Sequence, residues 1–210
     1  MSEWAYLFKT GVALFAIVNP IGNLPVFISA TNQWSKRDKA HTANIVGITV
    51  FTVLAITTFF GNDILDFFSI SIPSFQVGGG ILILLMSINM MHGKQSHTRQ
   101  TPEEAQTMAD KSAIAIVPLS IPIYAGPGAI SSVIITADKS VNFIHQTSLL
   151  IPIAVVSLLV WVSLRLSSNI TQWLGTIGIN IITRLMGLIL AAMSVEFIAH
   201  GINGLFPNLA

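Results

Sequence analysis

Apolar residues fall into long runs separated by short polar intervals, and the runs have the length of membrane spans. Six are legible, at about 4–30, 43–60, 73–91, 113–137, 149–166 and 181–201. A helix needs about 20 predominantly apolar residues to cross the hydrocarbon core, so the pattern predicts an all-α, six-span membrane protein. The polar intervals are compact. Thr31 to Thr42 holds Lys36, Arg37, Asp38 and Lys39, Asp63 and Asp66 mark a second loop, and Asp138 to His145 a fourth. The longest interval, His92 to Ser112, contains Thr101-Pro102-Glu103-Glu104: a hydroxyl cap, proline at the first helical position and an acid at the third. That order predicts a short linker helix over 101–112. It divides the chain into a first three-helix unit, 1–100, and a second, 113–210. Met1 to Val18 has the short apolar run of a signal peptide. Its n-region is neutral, because Glu3 offsets Lys9, and no small-x-small cleavage site follows, so it reads as a retained first span.

Two of the runs are interrupted. No charged side chain lies between Lys9 and Lys36, yet Asn19-Pro20, Gly22 and Pro25 fall inside that stretch. Proline lacks the amide that would bond four residues back, so Pro20 and Pro25 are expected to free the carbonyls of Ala16 and Ile21. The fourth run repeats the theme with Pro118, Pro122 and the sequence AGPGAI from Ala125 to Ile130, where the carbonyls of Pro118 and Ile123 lose their donors. Unsatisfied backbone in hydrocarbon costs several kcal/mol per group, so broken helices persist there when protein covers them or they line a cavity. Each break offers amides with a positive dipole end and carbonyls with a negative one. Together they suit a small zwitterion. A plain kink is the competing reading, since Gly and Pro are common in membrane helices.

The chain is 52% hydrophobic and 9% charged, with mean hydropathy +0.74. Soluble domains carry about 25% charged residues, so little mass is expected outside the membrane. A net charge of +1 with no basic run gives no nucleic-acid footprint, and the absence of cysteine removes disulfides and thiolate chemistry. Lys36, Arg37, Lys39, Lys94, Arg99, Lys111, Arg165 and Arg184 fall in or beside alternate connections, against Lys9 and Lys139 on the other side. The positive-inside rule then predicts both termini outside (N-out/C-out).

One internal register stands out, for 127 − 20 and 187 − 80 both give 107. At that shift Asn19-Pro20-Ile21-Gly22 lies over Gly126-Pro127-Gly128-Ala129, Met86-Ser87 over Met193-Ser194, and Asn89 over Glu196. Duplication of a three-span unit inverts the second copy, the arrangement of many secondary transporters. The expected substrate-binding residues are Asn19, Pro20, Gly22 and Pro25 from one break and Pro122, Gly126, Pro127 and Gly128 from the other. Glu196 is the carboxylate set well inside a span, a proton-coupling candidate by default, with a structural bond to His200 as the alternative. No metal site, cofactor or catalytic motif is expected, and therefore no enzyme.

NPIGNLPVF at Asn19 to Phe27 followed by IPIYAGPGAI at Ile121 to Ile130 resembles the paired signature of the MarC family of inner-membrane proteins. The resemblance covers the whole chain. It implies a polytopic protein of the plasma (inner) membrane, grouped with LysE-like exporters and similar to small neutral amino acid transporters driven by an ion gradient, proton or sodium. A secondary transporter, monomeric or homo-oligomeric, is the first expectation. A non-transporting membrane scaffold, with the Gly-rich faces serving helix association, is the second.

Overall fold

The computed structural model describes residues 3–31, 34–92, 115–139 and 142–207. Among them every regular element is helical. The expected linker helix at 101–112, with Lys94, Arg99 and Lys111, lies outside the described residues. The first run forms α1 (Glu3–Val18) and α2 (Leu24–Ala30), separated by a turn. The second and third form α3 (Lys36–Phe67) and α4 (Ile72–Met91), started by Ser35 and Ser71, whose side chains accept from the Asp38 and Ser74 amides. Capping of this kind satisfies donors that a helix start otherwise leaves open.

The fourth run splits into a π-helix, Ala115–Tyr124, and α5 (Pro127–Asp138). A short α6 (Phe143–Ser148) leads into α7 (Leu150–Arg165), and α8 runs from Ser167 to Leu205. Within α8, Gly175 has φ 61° and ψ 176°, so 167–174 and 176–205 are two helical pieces meeting at a bend. The sequence pattern places a loop before about 181. The helix instead starts at Ser167, because 167–180 contains no proline and supplies Ile170, Trp173, Ile177 and Ile179 as apolar positions.

Among the described residues, four helical stretches are long and apolar enough to cross a membrane, at Lys36–Phe67, Ile72–Met91, Phe143–Arg165 and Ser167–Leu205. Their exteriors carry large apolar side chains, among them Ile48, Phe60, Leu158, Trp173 and Leu188, each more than half exposed. Bilayer acyl chains solvate such a surface; water does not. Threonines in α3 bond back into their own helix, Thr57 to the Val53 carbonyl and Thr58 to the Leu54 carbonyl, which hides their hydroxyls from the apolar surroundings.

The interior is organised by two antiparallel pairs. In the first, Trp161 of α7 crosses α3 so closely that a Cβ on Gly47 would lie 3.0 Å from the Trp161 Cβ. The Trp161 indole donates to Asn44 Oδ1 at 2.7 Å, and Arg165 Nη2 donates to the same oxygen at 3.0 Å. In the second pair, Gly201 meets Pro73, Gly80 meets Ser194, and Gly187 meets Ser87, so numbering rises on α4 as it falls on α8. Small residues here bring backbone to backbone. A Cβ on Gly80 would lie 3.0 Å from the Ser194 carbonyl oxygen, and one on Gly187 would lie 3.1 Å from that of Ser87. Dispersion at short range holds such membrane contacts, since lipid offers no hydrophobic drive between helices.

Candidate functional site at the paired helix breaks

The first break is built from four consecutive constraints. Asn19 sits at φ 46°, the left-handed region that asparagine tolerates better than most residues, and ends α1. Pro20 cannot donate to Ala16, so that carbonyl loses its helical partner. The Asn19 side chain folds over the turn and its Oδ1 accepts the Gly22 amide at 3.2 Å. Gly22 has no Cβ because the Asn19 carboxamide occupies that space.

Asn23 completes the turn from the other side, its Nδ2 donating to the Val18 carbonyl at 3.0 Å. The expectation that Ile21 offers a free carbonyl is corrected by geometry: Leu24 N donates to it at 3.2 Å, because the chain turns there before Pro25 takes its place in the first turn of α2. Asn19 and Pro20 are buried, Gly22 and Pro25 half-buried. The first break therefore satisfies most of its own polar groups. Asn23 escaped the sequence reading; its position four residues after Asn19 was the available signal.

Among the described residues, the second break lacks the side-chain bonds that close the first across its turn. Ala125 N reaches back five residues to the Ser120 carbonyl at 2.8 Å, the π-type bond that closes the preceding helix. Gly126 is then extended, Pro127 begins α5, and no side chain caps the new helix. The amides of the first turn of a helix have no intrahelical acceptor. Here that turn is enclosed, with Gly126, Gly128 and Ala129 buried and Pro127 exposed. The side chain of Pro122 lies outside the described residues.

The two breaks come together in the interior. A Cβ on Gly128 would lie 3.1 Å from Ile83 Cγ1, 3.3 Å from Met86 Sδ and 3.4 Å from Ile17 Cγ2. Ile17 is two residues before Asn19, so the end of α1 meets the start of α5 against α4. One turn further along α5, Ser131 packs on Gly79, and a Cβ there would lie 2.9 Å from Ser131 Oγ. Ser131, Ser132 and Gln76 add buried polar side chains on α5 and α4, and Tyr124 buries a hydroxyl with no partner.

Glu196 is elsewhere. Its side chain is 72% exposed on α8, and its Oε1 lies 3.5 Å from His200 Nε2 one turn on. The structure thus does not bring it among the buried residues of the breaks. No group of three His, Asp or Glu side chains is placed to hold a metal among the described residues. An open groove of about 460 Å³ between α1 and α7, lined by Trp4, Phe8, Val12, Val155 and Leu159, contains none of the predicted site residues. Its lining is apolar, suited to acyl chains rather than to a polar solute.

Apolar helices long enough to cross a bilayer, paired through glycine and packed around two broken helices, define a polytopic integral membrane protein. The chain belongs to the MarC family: the description "MarC family integral membrane protein" matches residues 4–206. It is 39% identical over 207 residues to the UPF0056 membrane protein YhcE of Escherichia coli (strain K12), covering 99% of this chain and 96% of that one. It is 36% identical to YvbG of Bacillus subtilis (strain 168), covering 98% of each. The archaeal MJ1677 of Methanocaldococcus jannaschii is 33% identical over 192 residues, 91% of this chain and 93% of its own. No solved structure matches.

Proposed function

We propose that this protein is a plasma-membrane secondary transporter of small neutral amino acids, coupled to a proton or sodium gradient. It is not read as an enzyme. The observation that carries the proposal is the meeting of the end of α1 with the start of α5 at Gly126-Pro127-Gly128, which no side chain caps and whose two glycines are buried. The first-turn amides of α5 suit a carboxylate. The Ala16 carbonyl, deprived of a donor by Pro20, suits an ammonium.

The architecture read here is two inverted three-helix repeats, six spans, N-out/C-out. Support comes from reciprocity in the α4/α8 crossing. Gly80 faces the Ser194 carbonyl and Gly187 faces that of Ser87, while 187 − 80 and 194 − 87 are both 107. Ser87 Oγ donates to Leu84 O, and Ser194 Oγ to Ala191 O, each at 2.7 Å and again 107 apart in sequence. Ile83 and Leu190, a third such pair, are both fully buried. Antiparallel helices with mutual contacts of this kind are related by a two-fold axis perpendicular to both, which lies in the membrane plane when the helices span it. On this reading the same axis would relate the two breaks and put them at similar depth.

Purified protein in proteoliposomes tests the reading by counterflow of labelled alanine. Unlabelled alanine and glycine should compete, while ethylamine and propionate, each lacking one charged end, should compete poorly. Absence of saturable alanine flux under both proton and sodium gradients would favour the membrane scaffold, for which the glycine-rich crossings are sufficient.

A further inference from the structure

We infer that the solute travels between the breaks and the Asp138 end of the molecule along the buried polar side of α5, and that Gln76 of α4 recognises it at the mouth of that route. The inference rests on the transporter reading above. On α4, Gly79, Ile83 and Met86 are given to α5, at Ser131 in the first case and Gly128 in the other two, while Pro73, Val77 and Gly80 are given to α8. Gln76 lies between the two sets. It stands two helical turns before Ile83 and shares its direction, about 10 Å nearer the start of α4 at 1.5 Å per residue. The pairs Gly128 with Ile83 and Ser131 with Gly79 run in opposite senses along the two helices, so α4 begins at the end where α5 finishes. That is the end where Asn62 meets Asp138.

Polar groups without partners mark this line at successive levels. The first-turn amides of α5 stand at the break, uncapped by any side chain. Ser131 and Ser132 follow Gly128 by three and four residues, which sets them one turn out on the same side of the helix. Gln76 comes next. These three side chains are 3%, 4% and 9% exposed in that order, and among the described residues no hydrogen bond engages them. Other buried hydroxyls close on their own helices: Thr58, Ser87 and Ser194 donate to carbonyls three or four residues back. A buried polar group left unbonded is destabilising, and an apolar side chain would fill the place of Gln76 without that cost. A carboxamide both donates and accepts, so it can meet the carboxylate and the ammonium of one zwitterion. Gly79 packs directly on Ser131, so the route is closed in this conformation. Passage requires α4 and α5 to part there, and no bond between these side chains resists it.

The chain has no cysteine, so single replacements probe the route one level at a time. In sealed membrane vesicles of known sidedness, Gln76→Cys and Ser131→Cys should react with a small impermeant methanethiosulfonate added on the Asp138 side, and saturating alanine should slow both reactions. Leu65→Cys, 5% exposed near the same end of α3, should stay unreactive. Gln76→Leu separates recognition from folding. It removes an unbonded buried group, so the apparent melting temperature should hold or rise, while half-saturating alanine in counterflow should increase about tenfold, the scale of one lost hydrogen bond. Gln76→Asn keeps the carboxamide and should recover part of that affinity. With alanine counterflow present in the unaltered protein, three results would each overturn this inference alone: labelling at 76 and 131 no faster than at 65, labelling that alanine does not slow, or a lower melting temperature for Gln76→Leu. Absence of counterflow in the unaltered protein would instead remove the transporter reading, and this inference with it.

Discussion

Asn19 and Gly22 form a two-residue device in which each explains the other. The carboxamide that accepts the Gly22 amide at 3.2 Å also fills the space where a side chain would stand. Gly22→Ala must therefore expel the Asn19 side chain, leaving the amide unpaired in a half-buried turn. We expect a loss of about 1–3 kcal/mol, the scale of an unsatisfied buried donor plus local strain. The readout is the apparent melting temperature in detergent. Gly128→Ala meets Ile83, Met86 and Ile17 at 3.1–3.4 Å, a crowding that small side-chain shifts absorb, so its melting temperature should fall less. If Gly22→Ala melts like the unaltered protein, the Asn19 turn is not what holds the first break. A second residue-scale prediction concerns Asn44, whose single oxygen accepts from both Trp161 and Arg165. Asn44→Leu should destabilise by about 1–2 kcal/mol and shift Trp161 fluorescence, because the indole loses its partner. Proline and glycine chemistry made both breaks legible from sequence, since a missing amide is a local fact. The self-capping by Asn19 and Asn23 was not legible, because it depends on the left-handed turn at Asn19 that only the folded chain displays.

At the scale of elements, α4 and α8 present the same small residues to each other in opposite directions. Symmetry of that kind makes a quantitative demand. Gly80→Val and Gly187→Val each push a side chain into a carbonyl 3.0–3.1 Å away, so each should destabilise by about 1–3 kcal/mol and by similar amounts. Gly78→Val, where a Cβ meets nothing within 4 Å, should be close to neutral despite belonging to the same Gly78-Gly79-Gly80 run. Thermal stability of the three variants in one detergent checks the set, and unequal effects at 80 and 187 would break the equivalence. The triple glycine was visible in the sequence, but which member touches a neighbour was not. The same holds for Glu196. Residues 187, 190, 194 and 201 mark the inward stripe of α8, and a residue two beyond Ser194 lies about 200° around the helix. A span-by-span reading of hydropathy does not see that rotation, so it leaves a buried carboxyl and an outward one bonded to His200 as equal alternatives.

At the scale of the whole molecule, charge and repeat make linked statements, because an inverted duplication requires the two halves to enter the membrane from opposite sides. On the proposed orientation, the α3 start with Lys36, Arg37 and Lys39 lies on the cytoplasmic face and the α5 end at Asp138 on the outer face. The fold adds a constraint that charge alone lacks. Asn62, near the end of α3, reaches Asp138 with its Nδ2 at 3.4 Å, so the far end of α3 and the far end of α5 share one face. Gln146 Nε2 donating to the Thr58 carbonyl at 2.6 Å brings α6 to the same end. Lys36→Cys and Asp138→Cys in this cysteine-free chain should accordingly label from opposite sides with an impermeant maleimide: Asp138→Cys in intact cells, Lys36→Cys after permeabilisation alone. Asn62→Cys should follow Asp138→Cys. Reversal of all three would keep the fold and invert its orientation, placing both termini inside. Labelling of Lys36→Cys and Asp138→Cys from the same side would be a deeper failure, since α3 then could not cross the membrane between Lys36 and Asn62, and the inverted repeat would fall with it.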